Sequence, residues 1–154
     1  MNKPIKLATP IFIIGILIGF SASIAFASTA TSPWGYYGPH MGYNYRNHSQ
    51  IETGTSPFGN LLNSYAKVEA NPLQAMPTGY MGTQGRIYDT SGVLISFSDW
   101  GYNNEGNVSI ASYTHANNSP QGYYYGRGQT RAYNGNGYTT YWTFSTPNIY
   151  YEGR

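Results

Sequence analysis

The stretch Gly122-Tyr123-Tyr124-Tyr125-Gly126-Arg127-Gly128-Gln129-Thr130-Arg131-Ala132-Tyr133 decides the fold, together with the Asn134-Gly135-Asn136-Gly137 cluster and the run Tyr138-Thr139-Thr140-Tyr141-Trp142-Thr143-Phe144 that follow it. Two runs rich in aromatic and β-branched residues flank a cluster of Asn and Gly, which accept positive φ at little cost, so the segment reads as two antiparallel strands joined by a tight turn. Period-two alternation divides the first run into two faces. One face carries Tyr124, Gly126, Gly128, Thr130 and Ala132, mostly small. The other carries Tyr123, Tyr125, Arg127, Gln129, Arg131 and Tyr133. The small face is expected to point inward and to leave room for Trp142 and Phe144 of the second run. The Tyr-Arg-Gln-Arg-Tyr stripe is then expected to point out.

The same alternation of strand-forming runs and turn clusters extends over 79–154. Strands are expected near 79–88, 93–98, 108–113, 122–133, 138–144 and 148–152, with a second tight turn at Asp89-Thr90-Ser91-Gly92. Short connections favour antiparallel neighbours. The expectation is an all-β domain of about six strands, a small antiparallel sandwich or partly open barrel, with Val93, Ile95 and Phe97 sharing one side of their strand and Val108 and Ile110 one side of theirs.

Towards the N-terminus the pattern fades. Residues 28–60 are Gly, Pro, Asn, Ser and Tyr with hardly an aliphatic side chain, as in Pro33-Trp34-Gly35-Tyr36-Tyr37-Gly38-Pro39. Such a composition offers little apolar surface to offset ordering entropy, so a disordered Tyr/Gly-rich flexible arm is expected. Leu61, Leu62, Tyr65 and Val68 suggest a short helix at the start of a 61–78 helix-and-linker segment, with Asn71-Pro72 and Met76-Pro77 as punctuation. Residues 1–27 have the parts of a cleavable signal peptide: Lys3 and Lys6, an apolar run from Ile11 to Phe20, and Ala25-Phe26-Ala27 as the small-residue cleavage site. The protein is therefore expected to be secreted, beginning at Ser28, with no stable membrane anchor after cleavage.

The chain has 8 Lys and Arg against 6 Asp and Glu. Loss of Lys3 and Lys6 leaves six of each sign, so the basic balance belongs to the leader. A nucleic-acid partner, which demands a basic surface, is not expected. No cysteine is present, which removes disulfides, thiol nucleophiles and thiolate metal sites. No metalloprotease helix motif, nucleophile elbow, P-loop or dinucleotide fingerprint occurs. His115 stands alone in the C-terminal half. His40, Met41 and His48 are the residues that could hold copper, and Asp99 and Glu105, flanking Trp100-Gly101-Tyr102-Asn103-Asn104, are the pair that a secreted hydrolase could use. Neither pattern has diagnostic spacing, so no catalytic residue, metal or cofactor is expected. In size class and composition the chain resembles bacteriocins of the lactococcin 972 type, which are also leader-bearing and all-β, and the resemblance implies an exported protein that antagonises other cells. It rests on no motif and transfers no residue.

The functional expectation is a secreted, non-enzymatic β module that binds an extracellular or cell-surface ligand, glycan or protein. Its contacts are expected from Tyr123, Tyr125, Arg127, Gln129, Arg131 and Tyr133 on the strand and Trp100 and Tyr102 in the loop, because Tyr and Trp give rigid contact area at low entropic cost.

Overall fold

A computed structural model describes residues 27–154. The signal peptide read from the sequence lies outside the described residues, apart from Ala27. The described chain is all β: thirteen strands in three antiparallel sheets, none closed into a barrel. The first sheet has five strands: β1 (Ser28–Thr31), β2 (Gly35–His40), β3 (Tyr43–Ser56), β4 (Gly59–Ala70) and β9 (Ser109–His115). β1 and β2 pair with successive parts of one edge of β3, β4 pairs with the other edge, and β9 pairs with β4.

The second sheet runs β12 (Tyr138–Trp142), β11 (Gln129–Tyr133), β5 (Met81–Gln84), β8 (Gly101–Tyr102). The third runs β13 (Ile149–Tyr151), β10 (Gly122–Gly126), β6 (Arg86–Asp89), β7 (Leu94–Phe97). These two are halves of one folded-over layer, because β5 leads into β6 through Gly85 and β10 into β11 through Arg127 and Gly128. Hydroxyl groups bond the backbone freed at these breaks. Ser98 Oγ accepts from Gly85 N–H, Thr146 Oγ1 from Gly126 N–H, and Ser49 Oγ and Thr143 Oγ1 from Gly128 N–H.

The large sheet lies against both halves, and the inward residues of β3, of β4 and of the β10–β11 run step through the same sequence of environments. From one end to the other, β3 presents Ile51, Ser49, Asn47 and Tyr45; β4 presents Leu62, Ser64, Ala66, Val68 and Ala70; β10 and β11 present Tyr124, Gly126, Gly128, Thr130 and Ala132. One apolar core joins Ile51, Leu62, Tyr124, Ile87, Ile149 and Tyr151. A second joins Tyr45, Val68, Ala70, Met76, Met81 and Ala132. Between them runs a buried polar seam, in which Asn47 Nδ2 donates to Thr130 Oγ1 at 2.7 Å, Ser49 Oγ meets Thr143 Oγ1 at 2.6 Å, and Thr83 Oγ1 donates to the Ala66 carbonyl at 2.7 Å. The sheets approach closely at the seam. A Cβ on Gly128 would stand 2.3 Å from Ala66 Cβ, and one on Gly126 would stand 2.5 Å from Ser64 Oγ.

Several expectations need correction. The segment read as a disordered arm forms β1, β2 and β3, and the segment read as a short helix lies within β4, so the described residues contain no helix. The cause is the seam: β3 buries Asn47 and Ser49, which a composition argument counts as unburiable, and the hydrogen bonds of Asn47 Nδ2 and Ser49 Oγ across the sheets offset part of the desolvation cost, with Asn47 Oδ1 left buried and unpartnered. In β4 the inward Ser64 and Ala66 mask the period of two, leaving Leu62, Tyr65 and Val68 to imitate a helical face. Trp142 and Phe144, expected inside, are outside, with Trp142 45% exposed. Val93, Ile95 and Phe97 are exposed on or beside the edge strand β7, and Val108 is exposed while Ile110 packs partly against the second core. The expected strands over 79–88 and 122–133 are each broken in two, at Gly85 and at Arg127-Gly128. Both turns are as expected. In one, Asp89 Oδ1 accepts from Ser91 and Val93 N–H; in the other, Gly135 and Gly137 take positive φ.

Candidate ligand-binding face

The inward face of β10 and β11 is the small one: Tyr124, Gly126, Gly128, Thr130 and Ala132 are all buried. The stripe on the other side therefore lies on the outer surface of the folded-over layer. Cross-strand partners of an antiparallel pair share a face, so β11 and β12 bring Gln129 beside Trp142, Arg131 beside Thr140 and Tyr133 beside Tyr138. β10 and β6 bring Tyr125 beside Tyr88.

Three connected groups result. At one end Tyr123, 57% exposed, lies 5.1 Å from the Tyr150 ring, whose hydroxyl meets Gln121. In the middle Tyr125 stacks on Tyr88 at 5.3 Å, and the Arg86 and Arg127 guanidinium groups lie 5.2 and 4.9 Å from the Trp142 ring centre. Arg86 is held by neutral acceptors: Nε donates to Gln84 Oε1, Nη1 to Tyr88 Oη and Nη2 to Gln129 Oε1. At the other end Arg131 lies 3.7 Å from the Trp100 ring centre and donates from Nη1 to Tyr102 Oη at 2.9 Å and from Nε to Thr140 Oγ1. Tyr102 in turn packs on Tyr138 at 5.2 Å, and Tyr133 lies between Tyr138 and Tyr80.

All eight residues expected to form the site thus fall in these groups: Trp100, Tyr102, Arg131 and Tyr133 at one end, Tyr125, Arg127 and Gln129 in the middle, Tyr123 at the other. Arg86, Tyr88, Trp142, Tyr138 and Tyr150 were missed. The signal for two of them was available. A four-residue turn at 134–137 pairs 133 with 138 and so 129 with 142, which puts Tyr138 and Trp142 on the face of the stripe.

The outer surface of the five-stranded sheet has a different character. Trp34 lies over His48 at 4.2 Å, with Arg46 and Lys67 at 4.5 and 5.8 Å from its ring centre. Both cations pair with Glu69: Arg46 Nε donates to Oε1 at 2.6 Å and Lys67 Nζ lies 2.7 Å from Oε2. Burial alone would raise the Glu69 carboxyl pKa, but Lys67 and Arg46 outweigh it and hold the group below its ordinary range. Burial and the nearby Lys67 lower the His48 imidazole.

The candidate metal ligands do not assemble. His40 Nε2 meets Tyr141 Oη while His48 sits under Trp34, and among the described residues no three of His, Asp and Glu gather as a metal site would require. Glu105 accepts from Thr78 N–H and Oγ1, and His115 Nδ1 bonds Asn63 Oδ1. No family model, curated protein or solved structure matches the chain.

Proposed function

We propose that the protein is a secreted, non-enzymatic β module that binds an extracellular or cell-surface ligand, glycan or protein, through the outer face of β10, β11 and their neighbours. The observation that carries this reading is the stripe itself. Trp142, Trp100, Tyr102, Tyr123, Tyr138 and Tyr150 form an extended aromatic surface interleaved with Arg86, Arg127 and Arg131, drawn from six strands and two connecting segments. The rings are held by neighbours on a sheet rather than carried on free loops, so binding would cost little ordering entropy. Aromatic rings and arginine are also the side chains enriched where proteins meet their partners.

The test is a pull-down on cell-wall and glycan matrices with the chain from Ser28 onward, which contains every described strand. The expected result is retention on at least one matrix that is lost in Trp142→Ala and Arg131→Ala, with both variants folded by circular dichroism. Retention unchanged in both would move the binding surface elsewhere.

A further inference from the structure

The two outer surfaces are built alike in one respect and differ in another. On each, two cations converge on one tryptophan: Arg46 and Lys67 on Trp34, Arg86 and Arg127 on Trp142. At Trp34 the pair shares a carboxylate, Glu69. At Trp142 it shares none: among the described residues no carboxylate oxygen lies within 4.0 Å of Arg86, Arg127 or Arg131. Like charges gathered at one ring repel. The ring and the neutral acceptors Gln84, Tyr88 and Gln129 orient the guanidinium of Arg86 without neutralising it. Arg131 repeats the arrangement over Trp100, with only Tyr102 and Thr140 as acceptors. Guanidinium groups held beside rings with unused N–H donors are suited to planar, bidentate anions.

We propose that the missing counter-charge is supplied by the ligand, and that the ligand is an acidic polysaccharide. This rests on reading the face as a glycan-binding surface. The acidic groups would sit between Arg86 and Arg127 and beside Arg131, the place that Glu69 fills on the opposite surface, while the apolar faces of the sugar rings lie on exposed rings such as Trp142 and Tyr102. Single-stranded nucleic acid also pairs aromatic stacking with phosphate contacts. The polysaccharide is favoured because a groove for nucleic acid follows the backbone with many cations, whereas residues 28–154 carry six of each sign.

The experiment compares four probes at low salt on the chain from Ser28: polygalacturonate for carboxylate, dextran sulfate for sulfate, neutral dextran, and oligo(dT). The expected result is binding to one or both acidic polymers about tenfold or more tighter than to dextran, as one charge-assisted contact would give; which of the two binds assigns the acid. Gln129→Glu supplies a carboxylate where Gln129 Oε1 already accepts from Arg86 Nη2 at 3.0 Å. It should keep or raise the urea midpoint while abolishing that preference, and Arg127→Gln should weaken acidic binding where Arg154→Gln does not. Equal affinity for dextran would overturn the acidic ligand and leave the glycan-binding reading standing. Binding to no polysaccharide would remove both. Tighter binding to oligo(dT), full binding by Gln129→Glu, or an equal loss in Arg154→Gln would each overturn the proposal.

Discussion

Gly128, just before β11, lies close against the large sheet, and a methyl group there would meet Ala66 Cβ at 2.3 Å and the Gln84 carbonyl at 2.6 Å. Both obstacles belong to packed strands. Gly128→Ala is therefore expected to destabilise by about 1–3 kcal/mol or more, whereas Gly54→Ala, with nothing within 4 Å, should change stability little. Urea midpoints compare them directly. The same experiment separates core from surface. Leu62 is fully buried, so Leu62→Ala should cost about 2–5 kcal/mol, while Trp142→Ala, losing a half-exposed ring, should cost much less. Two tyrosines, Tyr45 buried and Tyr37 partly buried, set an alkaline limit. Burial raises the Tyr37 and Tyr45 hydroxyls, Tyr45 up to about 12, against an ordinary value near 10. Below about pH 10 both the folded and unfolded states keep these protons and the stabilisation is complete. Above it the unfolded chain ionises first, so stability should fall as pH rises. Tyr45 Oη is buried without a hydrogen-bond partner, so Tyr45→Phe should fold at least as well at neutral pH and lose less stability in alkali. Urea melts from pH 8 to 11 would show it.

The long hairpin of β3 and β4 is the element on which the rest depends. It supplies Ile51 and Leu62 to one core and Tyr45, Val68 and Ala70 to the other, and its Asn47 and Ser49 bond Thr130 and Thr143 of the opposite layer. Residues 79–154 without it would expose the inward faces of β5, β10 and β11. A fragment beginning at Gly79 is expected to lack a cooperative urea transition, and proteases should spare 43–70 in the intact protein. A folded fragment would show that the hairpin is an accessory. This element was also the least legible in the sequence. Strand signals over 79–154 are aromatic and β-branched, and their turns carry Asp-Thr-Ser-Gly and Asn-Gly-Asn-Gly. In β3 the inward positions are Tyr, Asn, Ser and Ile, so the alternation is visible only once the cross-sheet hydrogen bonds are known. Of the proposed binding face, alternation along 122–133 gave the stripe. Trp142 was misplaced because its strand was read by apolarity rather than by pairing from the turn, and Arg86 and Tyr88 join only through strands distant in sequence.

Across the whole molecule, the two outer surfaces divide the charge unequally. The five-stranded sheet binds its cations to Glu69, while the folded-over layer leaves Arg86, Arg127 and Arg131 among rings and neutral acceptors. Each surface carries its own tryptophan reporter: Trp34 on the first, Trp100 and Trp142 on the second. That arrangement makes one measurement decisive for the claim that the folded-over layer is the binding face. The indole N–H resonances of the chain from Ser28 can be followed by NMR as polygalacturonate, dextran sulfate or solubilised cell-wall glycan is added. The account predicts that a binding glycan shifts Trp100 and Trp142 and leaves Trp34 in place. Shifts at Trp34 with Trp100 and Trp142 unmoved would contradict it.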